Sequence, residues 1–240
     1  MLAYDGTALH GWQIQPDAAT VQGTLLQAAR RLFEGDVRLT GASRTDAGVH
    51  ALGQTVALTA VSSLPAASVR AALNAHLPRE VRVVTAVDAP ASFDARRSAL
   101  GKRYAYLIDN GAVPSPLLLR YAWHVPGALD LAAMRQGLVA LSGRHDFSAF
   151  CAAPGREANP VCRLRSAHGW RRKTLVGLVF SADRFLHHMV RNIVGSVVQV
   201  GRGARPPEWL GEVLASRDRT RAGPTAPAHG LTLLRVTYGP

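Results

Sequence analysis

The sequence predicts a mixed α+β fold: a mainly antiparallel central sheet flanked by helices, in two similar halves of about residues 1–100 and 101–240. Three observations lead there. Apolar spacing switches repeatedly between period two and helical period. The connections are short, and several strand-like runs follow one another directly, which suits α+β rather than a doubly wound parallel sheet. No Ser- or Gly-rich linker interrupts the 240 residues.

The elements follow in order. A short apolar start runs into Tyr4-Asp5-Gly6 as a strand and tight turn. With only Met1-Leu2-Ala3 before it, either the true start lies upstream or this edge strand is short. Thr20 can cap a helix that carries Val21, Leu25, Ala28, Ala29 and Leu32 at helical spacing. Val37 and Leu39 alternate like a strand, and Gly41–His50 reads as a loop. Gln54–Ala60 is strand-like again, Ala66–His76 a helix closed by Leu77-Pro78, and Val81–Val87 a strand.

The second half repeats the alternation. Arg103–Ile108 is a strand with Tyr104, Tyr106 and Ile108 on one face. Asp130 can cap a helix carrying Leu131, Met134, Leu138 and Leu141. Val161–Ala167 and Leu175–Ser181 read as strands. A helix is predicted from about Phe185 to Val200, with Met189, Ile193, Val194 and Val197 as its buried stripe. Pro206-Pro207 open a further helix, and Leu231–Tyr238 is a last strand.

Composition limits the function. Hydrophobic residues make up 48% and charged residues 18%, which is globular and not disordered. No run reaches the roughly 18 apolar residues of a membrane span, and the start lacks the pattern of a signal peptide. A cytoplasmic location is expected. Cys151 and Cys162 stand eleven positions apart, which is no zinc spacing, and read as ordinary thiols. The net charge of +12 points to a polyanionic partner. Lys occurs only at Lys102 and Lys173, so the remaining basic residues are Arg, which grips phosphate in bidentate fashion and stacks on bases.

Several chemistries lack their motifs. There is no Walker loop, no dinucleotide fingerprint and no nucleophile elbow. His187-His188 would face different directions on a helix and have no ligand one turn on, so no metal site is expected.

The loop Gly41-Ala-Ser-Arg-Thr-Asp-Ala-Gly-Val-His50 is different. Asp-Ala-Gly alone reads as a turn. Here Arg44 stands two residues before Asp46, which favours a charged carboxylate. Ser43, Thr45 and His50 add polar groups, and flanking strands can present the loop on a rigid scaffold. Such a carboxylate can be a base, a metal ligand or a nucleophile. No second acid lies nearby for a metal site or a glycosidase pair.

This loop resembles the signature of the tRNA pseudouridine synthase A family. The resemblance does not rest on one motif. It includes Tyr4-Asp-Gly6 with Gly11-Trp-Gln13, Val21-Gln22, Asn74-Ala-His-Leu-Pro78, Phe93-Asp-Ala-Arg96 and Lys102-Arg-Tyr-Ala-Tyr106. It continues through His145-Asp-Phe-Ser148, Phe185-Leu-His-His-Met-Val-Arg-Asn192 and Ala226-Pro-Ala-His-Gly-Leu231.

The resemblance implies the pseudouridine synthase fold, with an active-site cleft between the halves. It implies Asp46 as nucleophile, Tyr104 against the target base and Arg191 as partner of the catalytic carboxylate. Arg44, His50, Lys102 and His188 are expected to contact RNA together with Tyr104. The implied reaction turns uridine into pseudouridine at positions 38, 39 and 40 of the tRNA anticodon stem-loop. It is an isomerisation that needs no cofactor. The expected partners are tRNA and a second copy of the chain, with no membrane. Two other readings share the charge and fold: a pseudouridine synthase with another RNA target, and a catalytically silent RNA-binding protein.

Overall fold

The computed structural model describes residues 1–152 and 159–239. Its backbone divides into two units, Met1–Leu100 with Thr232–Pro240, and Gly101–Leu231.

In the first unit, β1 (Leu2–Tyr4) lies between β3 (His50–Gln54) and β5 (Val81–Val83), antiparallel to both. β1 is short as expected, but it is an inner strand and not an edge. Both of its ladders are filled, because the chain returns as β5 to pair with it. The last strand, β11 (Leu231–Thr237), joins β3 in parallel, with Thr232 opposite His50. A separate pair is made by β2 (Arg38–Gly41) and β4 (Val56–Thr59). The loop predicted to end at His50 thus ends one residue sooner, where β3 begins.

α1 (Val21–Arg30) starts where Thr20 accepts a hydrogen bond from the Gly23 N–H, as its capping chemistry predicts. It buries Val21, Leu25, Ala28 and Ala29. α2 (Ala66–His76) spans the predicted range. Its Asn74 pairs with Val83 like a piece of strand, accepting from Val83 N–H at 2.8 Å and donating to Val83 O at 2.9 Å. β5 stops at Val83, short of the expected Val87. Tyr238 ties the end of the chain to the Phe93-Asp-Ala-Arg96 motif. Its hydroxyl donates to Ala95 O at 2.6 Å, and its ring lies 5.1 Å from Phe93.

In the second unit, β6 (Gly101–Asp109), β10 (Leu175–Ala182), β9 (Val161–Arg172) and β8 (Gly143–Asp146) pair antiparallel in that order. β7 (Trp123–His124) adds to β6 in parallel. Register explains the core. Tyr104 faces Phe180, Tyr106 faces Leu178 and Ile108 faces Val176, and all six side chains are buried. β9 runs to Arg172, beyond the expected Ala167, because it forms a tight hairpin with β10.

α3 (Leu131–Val139) is capped by Asp130, which accepts from the Ala132 and Ala133 N–H groups. α4 (Met189–Gly201) is nearly all apolar and nearly all buried. It begins four residues later than the periodicity suggested. α5 (Trp209–Ser216) follows Pro206-Pro207. Both cysteines are buried. Among the described residues, no helix is long and apolar enough to cross a membrane.

Candidate active site

The Asp46 loop is held from several sides by the rest of the first unit. At its entry, Gln54 is fully buried and clamps Ser43, donating to Ser43 O at 2.6 Å and accepting from Ser43 N–H at 3.2 Å. In the middle, the hydroxyls of Thr45 and Tyr4 lie 2.8 Å apart, and the Trp12 N–H donates to Thr45 O at 3.0 Å. At its exit, the Val49 N–H donates back to Asp46 O at 3.2 Å, closing a turn whose Gly48 has φ of +79°. Asp46 does sit in a turn, as its composition alone suggested. That turn leaves the Asp46 side chain half-buried and Arg44 exposed, while Ser43 and Thr45 between and beside them are buried.

The Gly11-Trp12-Gln13 motif is the floor of this loop. Gly11 has φ of +85°, and a Cβ there would lie 2.6 Å from Thr45 O. The Trp12 indole is buried against Gly41, where a Cβ would meet the ring at 2.4 Å. Gln22, at the start of α1, donates to Leu39 O at 3.2 Å and accepts from the Ile14 N–H at 3.3 Å. The matched motifs around the loop are therefore largely its scaffold.

His50 stands at the head of β3 with 4% of its surface exposed. Its Nδ1 lies 3.0 Å from the Gly6 N–H and 3.2 Å from an Asp5 oxygen. These two contacts need opposite protonation of one atom. A backbone N–H can only donate, so Nδ1 is the acceptor and the Gly6 bond is the one that operates. His50 thus anchors the loop exit to the Tyr4-Asp5-Gly6 turn.

The second unit supplies the other candidates. Lys102 and Tyr104 share one face of β6. Tyr104 is almost wholly buried, and Phe185 meets its ring edge-on at 5.1 Å and 87°. Phe185 was read as the first turn of a helix. Instead, Phe185–His188 is an irregular segment, and His188 adopts a left-handed conformation with φ of 59° before α4 starts. His187 and His188 therefore do not point apart as helical neighbours would. Their rings stack at 3.9 Å and 34°.

Arg191 lies in the first turn of α4 and is half-buried. Its Nε donates to Ala226 O at 2.8 Å, and the Ala226 N–H donates to Arg191 O at 3.1 Å. Tyr106 lies near it: burial pushes the phenol pKa well up, and the Arg191 charge acts in the opposite direction. Sequence reasoning did not single out Tyr4 and Gln54 as supports of the Asp46 loop, Tyr106 as a neighbour of Arg191, or Phe185 as a neighbour of Tyr104. Gln54 carried a faint signal, as the polar first residue of a strand-like run. Tyr4 and Tyr106 carried only motif membership.

The family described as tRNA pseudouridine synthase matches residues 1–96 and 138–239. A tRNA pseudouridine synthase A of Myxococcus xanthus is 45% identical over 99% of this chain and 90% of its own length. The protein of that name from Chloroflexus aurantiacus is 44% identical over 100% of the chain and 88% of its own length. The one from Methylobacterium nodulans is 46% identical over 99% and 94%. The chain belongs to the tRNA pseudouridine synthase family, a family of isomerases.

Proposed function

We propose that this protein converts uridine to pseudouridine at positions 38, 39 and 40 in the anticodon stem-loop of tRNA, with Asp46 as nucleophile. The observation that carries the reading is the Arg44-Thr45-Asp46 turn: a carboxylate on a loop whose neighbours are pinned by Gln54, Tyr4 and Trp12. A reaction at one carbon needs such fixed aim. Relatives named tRNA pseudouridine synthase A over nearly the whole chain support the same activity.

The reaction breaks the N1–C1′ bond of uridine, turns the uracil and rejoins it through C5. C1′ gains oxocarbenium character as the bond breaks, and a carboxylate stabilises or captures it. Attack at C6 and a glycal route use the same carboxylate. In this reading Arg191 is the cation that holds the Asp46 carboxylate in line. Tyr104 stacks on the uracil. Arg44, Lys102 and His188 contact the RNA, and His50 acts through the loop it anchors.

A stacked uridine must be extruded, at a cost of a few kcal/mol. Phosphate contacts from a chain of net charge +12 offset part of it. The working form in this reading is a cytoplasmic homodimer on one tRNA.

The test is to map pseudouridine in tRNA from cells with and without the gene, and in unmodified tRNA treated with the purified protein. Loss at 38–40 in the deletion and gain in vitro are expected. Unchanged signal at those positions would overturn the assignment.

A further inference from the structure

Arg191 does not stand on α4 alone. Residues 219–227 cross the first turns of that helix as a strap, and the two are tied together at several points. Asn192 is fully buried in the second turn. Its amide donates to Phe150 O at 2.7 Å. Its Oδ1 accepts from the Thr225 hydroxyl at 2.6 Å and from Arg219 Nη2 at 3.0 Å. Arg219 also donates to Gly223 O at 3.1 Å and to the Thr225 hydroxyl oxygen at 3.0 Å. One turn along, Ser196 donates to Asn192 O at 2.8 Å and accepts from the Gly223 N–H at 2.9 Å.

The contact leaves no room for adjustment. A Cβ on Gly195 would lie 1.7 Å from Pro224 O, so strap and helix touch backbone to backbone. The far end is fixed to the sheet, because the Tyr106 hydroxyl donates to Pro227 O at 2.8 Å. Between these two anchors lies Ala226, whose carbonyl takes the Arg191 Nε hydrogen bond.

An arginine side chain has four rotatable bonds and loses rotamer entropy when fixed. A single backbone acceptor at Nε removes much of that freedom and sets the plane in which the two terminal nitrogens lie, which is the geometry that a two-point grip on an anion depends on. A helix alone offers no such acceptor. The strap brings one from thirty-five positions downstream in the sequence.

We propose that Thr225, Arg219, Asn192 and Tyr106 are positioning residues for the reaction, which set the direction of the Arg191 guanidinium by fixing the Ala226 carbonyl. None of them is required to touch the substrate. This rests on the reading above that Arg191 serves the chemistry.

The test compares Thr225→Val and Tyr106→Phe with Thr225→Ser and Arg191→Gln, all in the full-length protein on tRNA. Valine keeps the volume of threonine but cannot bridge Asn192 and Arg219. Phenylalanine frees Pro227 O. With saturating tRNA, the single-turnover rate of both variants is expected to fall by about tenfold or more. The tRNA dissociation constant should change little, and the melting temperature should fall by no more than the loss of one hydrogen bond accounts for. Thr225→Ser keeps the hydroxyl and should restore the rate.

Wild-type rates in both variants, or a loss that Thr225→Ser does not recover, would overturn the inference. So would a loss matched by weaker tRNA binding or by a large fall in melting temperature. Arg191→Gln separates the two levels. If it is inactive while the strap variants are normal, only the positioning role fails. If it keeps the wild-type rate, the role of Arg191 in the proposed reaction fails, and the positioning role with it.

Discussion

The Tyr4 hydroxyl lies 2.8 Å from the Thr45 hydroxyl, tying the residue before Asp46 to strand β1 across forty-one positions of sequence. Both side chains are buried, so neither oxygen has water as a ready substitute. Tyr4→Phe removes one partner and leaves the Thr45 hydroxyl unsatisfied, at a cost of about 1–3 kcal/mol. Urea denaturation should show this loss of stability, and the turnover rate should fall because the loop loses a side support. Unchanged stability and rate would show that the loop is held without it.

Gly11 carries a double constraint. Its φ of +85° is left-handed, and a Cβ would lie 2.6 Å from Thr45 O. Gly11→Ala should cost about 1–2 kcal/mol from backbone conformation alone, with the clash added to it. The expected readout is a lower melting temperature together with reduced activity. A Gly11→Ala protein with both at wild-type level would contradict this packing.

Asp46→Asn changes charge and not shape. It should abolish pseudouridine formation, measured by release of tritium from uridine labelled at C5, while tRNA binding stays close to normal. Turnover at the wild-type rate would remove Asp46 from the nucleophile role.

The net charge of +12 should make tRNA binding steeply salt-dependent. Contact with about six phosphates predicts a loss of affinity of about 10³ between 50 and 200 mM salt. A dissociation constant indifferent to salt over that range would argue against backbone contacts.

Asp146 gives a dependence on acid. Its burial raises the carboxyl pKa, but the Ser148 hydroxyl and N–H, at 2.6 and 2.9 Å, with Arg217 beside them, hold it below the ordinary 3.8. A folded value below the unfolded one adds stability that is fully present above the unfolded pKa. That stability is lost as pH falls through the folded value. The urea midpoint should therefore drop below about pH 4, and Asp146→Asn should drop less steeply over the same range. Parallel acid curves for the two proteins would exclude this contribution.

Local chemistry made much of the fold legible. Thr20 and Asp130 mark their helix starts because a side-chain oxygen accepts orphan N–H groups wherever the chain turns helical. Tyr104, Tyr106 and Ile108 alternate because a pleated strand presents every second residue to the core. The start of α4 was misjudged for the opposite reason. Phe185–His188 fits the apolar period, but no sequence rule announces the left-handed His188 that delays the helix start. β1 was misplaced at an edge because pairing partners lie far apart in sequence. Nothing local shows that Val81–Val83 returns to cover it.

The sequence by itself determined the family and put forward the Arg44-Thr45-Asp46 loop, Tyr104 and Arg191 as candidates, because these are matters of residue identity and order. Only the tertiary structure decided what holds them: Tyr4 and Gln54 for the loop, the 219–227 strap for Arg191, and Phe185 for Tyr104. The physical reason is reach. A motif records which atoms are offered, whereas a hydrogen bond or ring contact of a few ångströms is made only once distant segments have been folded against it.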